Sequence, residues 1–382
     1  MDQATAEKPQ ALPYVDGQVP GQPGPGEEVD ALGTPIAKGE LRPLRVTRRP
    51  LRDDDVQVDV LYTGICHSDL HFVANDWGNT VYPCVPGHEI VGRVSAVGDQ
   101  VTRFAVGETV AVGPIVDNCG QCASCRDGLE QYCDGPKGRT EVYNGPNKGD
   151  GTNTYGGYSA RLVVGERYVY KMPDGLAPET VPPLMCAGVT TYSPLKFYGT
   201  GPGKKVGVAG LGGLGHLAVK LAAAMGAEVT VLSRSPEKEA DARRFGAADF
   251  AVHTDPEAMQ KLAGQLDFVL ITIPEPFDPN PFVKLLKRDG TACVVGAIQP
   301  LATPSDTTQL TGQRRALSGS ILGSVDESAE MLAFCAEHGI ASEVEVIGLG
   351  EVNDAYPKVK GGKVRYRYVI DVAGSEFRDG SS

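Results

Sequence analysis

Residues Gly64–Glu89 read GICHSDLHFVANDWGNTVYPCVPGHE and concentrate groups able to hold a metal and move a proton. Cys66, His67, Ser68, Asp69 and His71 fall within six positions, and His88-Glu89 begins twenty-two residues after Cys66. Thiolate and imidazole ligands suit zinc, and a catalytic zinc takes about three protein ligands with one position open for water or substrate. Cys66 and His88 supply two. Cys186, in the isolated run Leu184-Met185-Cys186-Ala187-Gly188, is the best candidate for the third. Ser68 puts a hydroxyl beside the first ligand, placed to move the proton that zinc chemistry releases. Taken alone, the stretch reads equally well as a buried cysteine and a core histidine near a turn. The rest of the chain decides between the two.

Cys119, Cys122, Cys125 and Cys133 have the spacing C-x2-C-x2-C-x7-C. Four thiolates on one compact loop form a closed tetrahedral site, which stabilises a fold and does no chemistry. An iron–sulfur reading is disfavoured because ferredoxin spacings differ and usually place Pro after the fourth cysteine, where this chain has Asp134. Two disulfides are disfavoured because the chain is large and shows no secretory signal. The spacing predicts a structural zinc.

The third signal is a nucleotide site. Lys205–Ala209 is a short apolar run, followed by Gly210-Leu211-Gly212-Gly213-Leu214-Gly215, a helical stretch over 216–226 and a second strand over 228–232. Strand, G-x-G-x-x-G, helix, strand is the context a dinucleotide fingerprint requires. The first glycine makes the tight turn, the second admits the pyrophosphate, and the third lets helix and strand pack, with the anion at the helix N-terminus. An Asp or Glu at the end of the second strand would hold an NAD ribose 2′-hydroxyl. This chain has Ser233-Arg234-Ser235 there, with Lys238 beyond. Hydroxyls and a guanidinium bind a 2′-phosphate that a carboxylate would repel, so the sequence predicts NADP(H) over NAD(H). Ser235 also suits an N-cap ahead of Pro236.

The elements that position these groups fit two domains, as 382 residues lead one to expect. The chain is 41% apolar and 22% charged with a net charge of −12, which is globular and argues against nucleic-acid binding. No run approaches the ~20 apolar residues of a membrane span, no secretory signal is visible, and a cytoplasmic location is expected. Residues 1–30 are rich in Pro, Gly, Gln and Glu and read as a flexible extension. From about Ala31 short alternating runs punctuated by Gly and Pro predict an antiparallel sheet or partial barrel. Asp249–Val252, Asp267–Thr272, Thr291–Val295 and Leu317–Ile321 add strands to the first two of the nucleotide unit, about six in a doubly wound sheet. Ser324-Val325-Asp326-Glu327 is a capping box opening a helix through Phe334. Val344–Ile347 and Arg365–Ile370 are late strands expected to return to the first domain.

GICHSDLH, GHEIVGRVSAVGDQV, the four-cysteine loop, PLMCAGVTTYSP, GLGGLGH and YRYVID, in this order, resemble the zinc-dependent medium-chain alcohol dehydrogenases. The match is to the cinnamyl alcohol dehydrogenase-type branch with its bacterial NADPH-dependent aldehyde reductases, over about Ala31 to Asp371. The resemblance implies an α/β protein with a GroES-like, mainly-β catalytic domain (31–187 and 324–371) and a doubly wound Rossmann coenzyme domain (188–323). It implies a catalytic zinc on Cys66, His88 and Cys186, with Glu89 behind it as an occasional ligand, and a second, structural zinc on the four cysteines. Ser68 would pass a proton by way of the cofactor ribose towards His71, and Asp69 would orient His88. His67, Thr190, Gly210, Leu211, Gly212, Gly213, Leu214, Gly215, Thr272, Gly296 and Ser320 would contact NADP(H), and Ser233, Arg234, Ser235 and Lys238 would surround its 2′-phosphate. The implied activity is interconversion of aldehydes and primary alcohols, in a homo-oligomer.

One departure is Arg234, where the plant enzymes carry a serine run; arginine keeps phosphate affinity. Leu70, Trp77, Ile115 and Ile298 are candidates for the substrate pocket, with aromatic, aliphatic and terpenoid aldehydes all open. Competing readings are a reductase of conjugated alkenes or iminium ions, a non-catalytic NADPH-binding protein, and a zinc-regulated nucleic-acid binder. The intact Cys66, Ser68, His88 and Cys186 argue against the first two and the acidic charge against the third. Cys84, Cys293 and Cys335 read as core residues, and His216 and His253 have no motif support.

Overall fold

A computed structural model describes residues 26–135, 138–145, 153–296 and 299–377. Its first half is built from short strands: β1 (Glu27–Gly33), β2 (Arg42–Arg48), β3 (Asp55–Gly64), β4 (Ile90–Val97), β5 (Thr109–Val112), β6 (Ile115–Asp117), β7 (Thr140–Glu141), β8 (Arg161–Gly165) and β9 (Val169–Lys171). Helix α1 (His67–Ala74) follows β3, and the single turn α2 (Ala123–Arg126) lies between β6 and β7. Val56, Val58 and Val60 are buried at every second position of β3, the period that turns one face of a strand into a core. That strand is the hub of its sheet, pairing antiparallel with β4 and β8.

Helix α3 (Ala187–Phe197) leads into the second half: β10 (Lys205–Ala209), α4 (Gly215–Ala224), β11 (Glu228–Ser233), α5 (Glu239–Arg244), β12 (Asp249–Val252), α6 (Pro256–Lys261), β13 (Leu266–Ile271), α7 (Asn280–Lys284), β14 (Leu286–Val294), α8 (Thr307–Thr311) and β15 (Ala316–Gly319). All six strands are parallel, in the order β12-β11-β10-β13-β14-β15. The strand that comes first in sequence, β10, lies in the middle, and the order reverses beside it, between β10 and β13. A crevice opens at the carboxyl ends of the strands at such a switch point.

The chain then runs back through α9 (Val325–Glu337), β16 (Val344–Ile347), α10 (Val352–Lys360) and β17 (Arg367–Asp371). β17 pairs antiparallel with β3, so the late strands do join the first sheet. In the capping box of α9, Glu327 N–H donates to Ser324 Oγ at 3.1 Å and Ser324 N–H to Glu327 Oε2 at 2.9 Å. The helix runs three residues past the predicted Phe334 and stops before Gly339, whose φ of +63° ends it.

Two expectations are corrected. Glu27–Asp30, read as part of a flexible extension, belongs to β1, because its backbone pairs with Arg45–Arg48 of β2 and Arg45 bonds Glu28 and Asp30. Residues 1–25 lie outside the described residues. Leu70 and Ile115 pack in the core and are not on the wall of the cleft described below. Ile298 also lies outside the described residues.

The two halves are locked together at His216, on α4. Its ring is fully buried and stacks on Tyr366, with centroids 5.2 Å apart. Nε2 lies 3.2 Å from Ser342 Oγ and accepts from Glu343 N–H at 3.3 Å. Burial, reinforced by the charge of Lys220, pushes its pKa down to about 3. The unfolded chain then binds a proton that the folded chain refuses at any pH between about 3 and the ordinary histidine value of about 6.5. Stability is therefore lost as pH falls through that window. A His216→Asn variant is expected to be less stable at pH 7 but to show a shallower fall of unfolding free energy between pH 6.5 and 4, as measured by urea titration. An unchanged slope would refute this.

Candidate active site

Cys66 is the N-cap of α1 and Cys186 the N-cap of α3, so both thiols stand where a helix favours negative charge. His88 and Glu89 precede β4, which pairs with the end of β3. The ligand atoms of Cys66, His88, Glu89 and Cys186 all lie within 4.8 Å of one another, and all four residues are buried. A tetrahedral zinc with arms of about 2.0–2.3 Å spaces its ligand atoms roughly 3.3–3.8 Å apart, which this cluster can accept. Electrostatics point the same way. The hydrogen bond from Cys186 holds the Cys66 thiol well below its usual range, and the same contact, with burial, drives Cys186 well above it. One sulfur sheds its proton and its neighbour resists, a conflict that a bound dication resolves.

Asp69 shapes this centre from behind. Fully buried on α1, it accepts from Cys66 N–H at 2.8 Å and Gly87 N–H at 3.0 Å, with His88 Nδ1 at 3.1 Å. It is thus at once a helix cap and the group that orients His88, turning Nε2 towards the cluster. Tyr143 stacks on the other side of that ring, 5.3 Å away and 9° from parallel. Burial alone would lower the His88 pKa, but the Asp69 carboxylate raises it well above the ordinary value, as suits a strongly basic ligand. Asp69→Ala strands two buried N–H groups and frees the ring. It is expected to weaken zinc affinity about 10- to 100-fold, measured by competition with a chelator.

Glu89 is tied to Arg367 by a buried ion pair, its Oε1 accepting from Nη2. Its Oε1 also lies 3.9 Å from His88 Nε2, so it is the oxygen nearest the cluster, while Oε2 sits against Gly64 with no hydrogen-bond partner among the described residues. Burial pushes its carboxyl up to about 7 despite the guanidinium. Losing either partner leaves a buried charge uncompensated, at a cost of about 3–5 kcal/mol. Arg367 was not assigned a role from the sequence. The signal was there: one arginine inside the apolar run YRYVID, on a strand whose neighbours are all buried.

The cluster opens into a cleft of about 1800 Å³ between the two sheets. That exceeds the ~300–1,000 Å³ of an ordinary small-ligand site and leaves room for a dinucleotide and a substrate together. Its wall carries Cys66, His67, Ser68, His88, Cys186, Thr190, the turn 210–214, Ser233, Arg234, Ser235, Lys238, Thr272, Gly296 and Ser320. The turn is shaped for an anion. Gly210 has a φ of +95°, and a Cβ on Gly215 would lie 1.9 Å from Gly210 O, so this glycine serves packing and is not on the wall. A Cβ on Gly212 would meet nothing within 4 Å and one on Gly213 would come 2.8 Å from Arg367, so side chains there would fill the cradle.

At the end of β11, Ser235 N–H donates to Ser233 Oγ at 3.1 Å, so the buried Ser233 hydroxyl shapes the turn. Arg234 is exposed, 3.7 Å from Glu275. Lys238 Nζ donates to Leu211 O at 2.9 Å, joining this turn to the glycine turn.

His71 is not on the cleft wall. Its Nδ1 lies 2.8 Å from Asp76 Oδ2, a partner that sequence reasoning missed although it stands five residues on, in the same NDWG stretch. Asn75, in the left-handed conformation at φ +56°, ends α1 and turns the chain so that Asp76 faces back. Trp77 is on the wall and packs edge-on to Phe72 at 4.7 Å; Phe72 in turn packs on Tyr143 at 4.6 Å. These rings wall the zinc end of the cleft.

The second cluster lies on α2 and its flanks. Cys119, Cys122, Cys125 and Cys133 bring their sulfurs within 4.8 Å of one another. Gln121 and Cys122 N–H groups donate to Cys119 Sγ at 3.4 and 3.3 Å and hold its pKa down to about 6, whereas burial pushes Cys125 up to about 12. Backbone donors aimed at sulfur and an uneven sharing of charge again fit zinc.

The chain matches the family described as Alcohol dehydrogenase GroES-like domain over residues 52–174. It matches the one described as Zinc-binding dehydrogenase over residues 213–337. It is 47% identical over 347 residues to "Aldehyde reductase YahK" of Escherichia coli (strain K12), covering 90% of this chain and 98% of that one. It is 48% identical over 346 residues to "NADP-dependent alcohol dehydrogenase C 1" of Mycolicibacterium smegmatis, covering 90% and 98%. Among solved structures it resembles the cinnamyl alcohol dehydrogenase SbCAD4 of Sorghum bicolor with a TM-score of 0.88 and 42% identity, over 92% of this chain and 100% of that one. It resembles the CAD of Helicobacter pylori, complexed with NADP(H), with a TM-score of 0.85 and 37% identity, over 91% and 99%.

Proposed function

Because the chain belongs to the zinc-dependent medium-chain alcohol dehydrogenases, in the branch of the cinnamyl alcohol dehydrogenases and NADP-dependent aldehyde reductases, we propose that Cys66, His88 and Cys186 hold the metal at which it reduces aldehydes. It is an NADP(H)-dependent zinc enzyme that interconverts aldehydes and primary alcohols by hydride transfer. The observation that carries the assignment of the centre is the convergence of two thiols and an oriented imidazole on the wall of the cleft.

When bound, zinc supplies a Lewis acid for the substrate oxygen, and NADPH supplies the hydride. The chain's own groups do the rest. Ser68 stands on the wall with its Oγ 3.9 Å from Cys66 Sγ, and it gives a proton to the oxygen as the alcohol forms. His71, one turn along α1 and fixed through Nδ1 by Asp76, keeps Nε2 to exchange that proton with solvent. The exposed Arg234 and the half-buried Lys238 attract a phosphate at the far end of the cleft, beside the end of β11. Thr190, Thr272, Gly296 and Ser320 line the length between the two ends.

Phe72, Trp77 and Tyr143 favour an aromatic or conjugated aldehyde, since flat rings pack well on such walls. A homo-oligomer has an available edge in β15, the outer strand of its sheet, with Phe197 and Ile321 exposed. A cytoplasmic location goes with the same reading; among the described residues no helix is long and apolar enough to cross a membrane.

The test is oxidation of NADPH and of NADH with benzaldehyde and cinnamaldehyde, for the wild type and Ser68→Ala. The expected result is turnover with NADPH and a fall of about 10²- to 10³-fold in kcat for the variant, with zinc content unchanged. A Ser68→Ala enzyme of wild-type kcat would remove Ser68 from the proton path.

A further inference from the structure

The cofactor cleft contains an imidazole that the function above does not use. β12 ends at Val252, and His253 follows, its backbone N–H donating to Ser233 O at 3.0 Å. That bond pins the end of β12 against the end of β11, where a ribose carrying a 2′-hydroxyl or 2′-phosphate is received in this fold. His253 is on the cleft wall together with Arg234 and Lys238. Its ring is half-buried and packs edge-on to Phe282, centroids 5.5 Å apart, which fixes its plane. Among the described residues neither ring nitrogen bonds another residue.

We propose that His253 is a protonatable member of the 2′-phosphate site, so that affinity for NADPH, but not for NADH, is coupled to the charge on this ring. The inference rests on the NADP(H) reading and deepens it.

Three bases at one end of a cleft oppose one another until an anion arrives. Burial lowers the His253 pKa below the ordinary histidine value and the charge of Arg234 lowers it further, partly offset by a hydrogen bond from one ring nitrogen to the residue's own backbone, which leaves the other nitrogen for a ligand. The other charged groups on this part of the wall are Lys238, from the turn after β11, and Glu275 and Asp278, from the loop after β13. Glu275 is engaged by Arg234 at 3.7 Å. A phosphate reverses the balance: a dianion beside the ring raises its pKa, and a protonated imidazole donates a charge-assisted hydrogen bond that a neutral one gives more weakly. By linkage, a ligand that promotes proton uptake binds less tightly as pH rises. NADH lacks the phosphate and reports everything else the ring touches.

The experiment measures dissociation constants of NADPH and NADH by nicotinamide fluorescence at pH 6.5, 7.5 and 8.5. It uses the full-length wild type, His253→Asn and His253→Lys. The 2′-phosphate itself titrates near the low end of this range, and comparing variants on the same ligand cancels that contribution. The wild-type preference for NADPH over NADH is expected to fall about five- to tenfold between pH 6.5 and 8.5. His253→Asn should start from a low preference and lose that fall, and His253→Lys should keep at pH 8.5 the preference that the wild type has at pH 6.5. A His253→Asn enzyme with the wild-type profile would overturn the inference while the NADPH preference stands. If no form distinguishes the two cofactors at any pH, the NADP(H) reading fails and this inference falls with it.

Discussion

Cys186→Ala is expected to lower kcat/KM for aldehyde reduction by at least about a thousandfold, equivalent to roughly 4 kcal/mol of lost transition-state stabilisation. Cys186 is buried with Cys66, His88 and Glu89, and among the described residues no other cysteine joins that cluster. Its removal leaves two softer ligands and a carboxylate already engaged by Arg367. Zinc should fall from two to one per chain, since the four-cysteine cluster on the β6–β7 lobe is untouched. NADPH binding should persist, because the glycine turn, Arg234 and Lys238 lie on the other wall of the cleft. Metal analysis, fluorescence titration and kinetics on one preparation separate these effects. A variant with one zinc per chain and wild-type turnover would show that the chemistry does not use this centre.

The other large effect is on stability. Cys125→Ser should also cost one zinc per chain, this time the structural one, and lower the thermal midpoint by on the order of 10 °C. Few other side-chain ties among the described residues hold the lobe to the rest of the chain, one being Tyr132 Oη 3.3 Å from Ser320 Oγ. Glu130, buried, bonds Arg167 and accepts from Val325 N–H at 3.3 Å, and Arg139 donates to Gln131 O at 2.8 Å. Tyr132, Arg139 and Thr140 from the same lobe line the cleft, so KM for the aldehyde should rise while the catalytic metal stays in place. A midpoint and zinc content equal to the wild type would refute a structural metal here.

These two sites were legible in the sequence because zinc ligands are few in kind and the four cysteines are close in sequence. The glycine turn was legible for a similar reason, since strand, glycines and helix are contiguous. Cys186 was harder, lying 120 positions from Cys66 with no local partner, and only its isolated apolar setting marked it. What stayed hidden depends on contacts between distant segments. Arg367 meets Glu89 across 278 positions, because β17 returns to pair with β3. His216 had no motif and turned out to clamp α4 to the returning segment, its bond to Ser342 crossing 126 positions. Pocket candidates chosen by type alone fared unevenly. Trp77 lines the cleft, but Leu70 and Ile115 face the core, because nothing in a single sequence says which side of a short helix or strand meets the substrate. Glu27–Asp30 looked like tail by composition and became strand through pairing with β2, a tertiary effect that composition does not register.

We assign NADPH-linked aldehyde reduction to zinc at the Cys66–His88–Cys186 centre. The most direct test is a zinc titration of activity. Enzyme stripped of its more labile zinc by a chelator, with the structural zinc retained, is reconstituted stepwise while NADPH oxidation with cinnamaldehyde is followed. Turnover should be negligible in the stripped enzyme and rise linearly to a maximum at one added zinc per chain. Full turnover in the stripped enzyme, or a maximum independent of added zinc, would contradict this assignment.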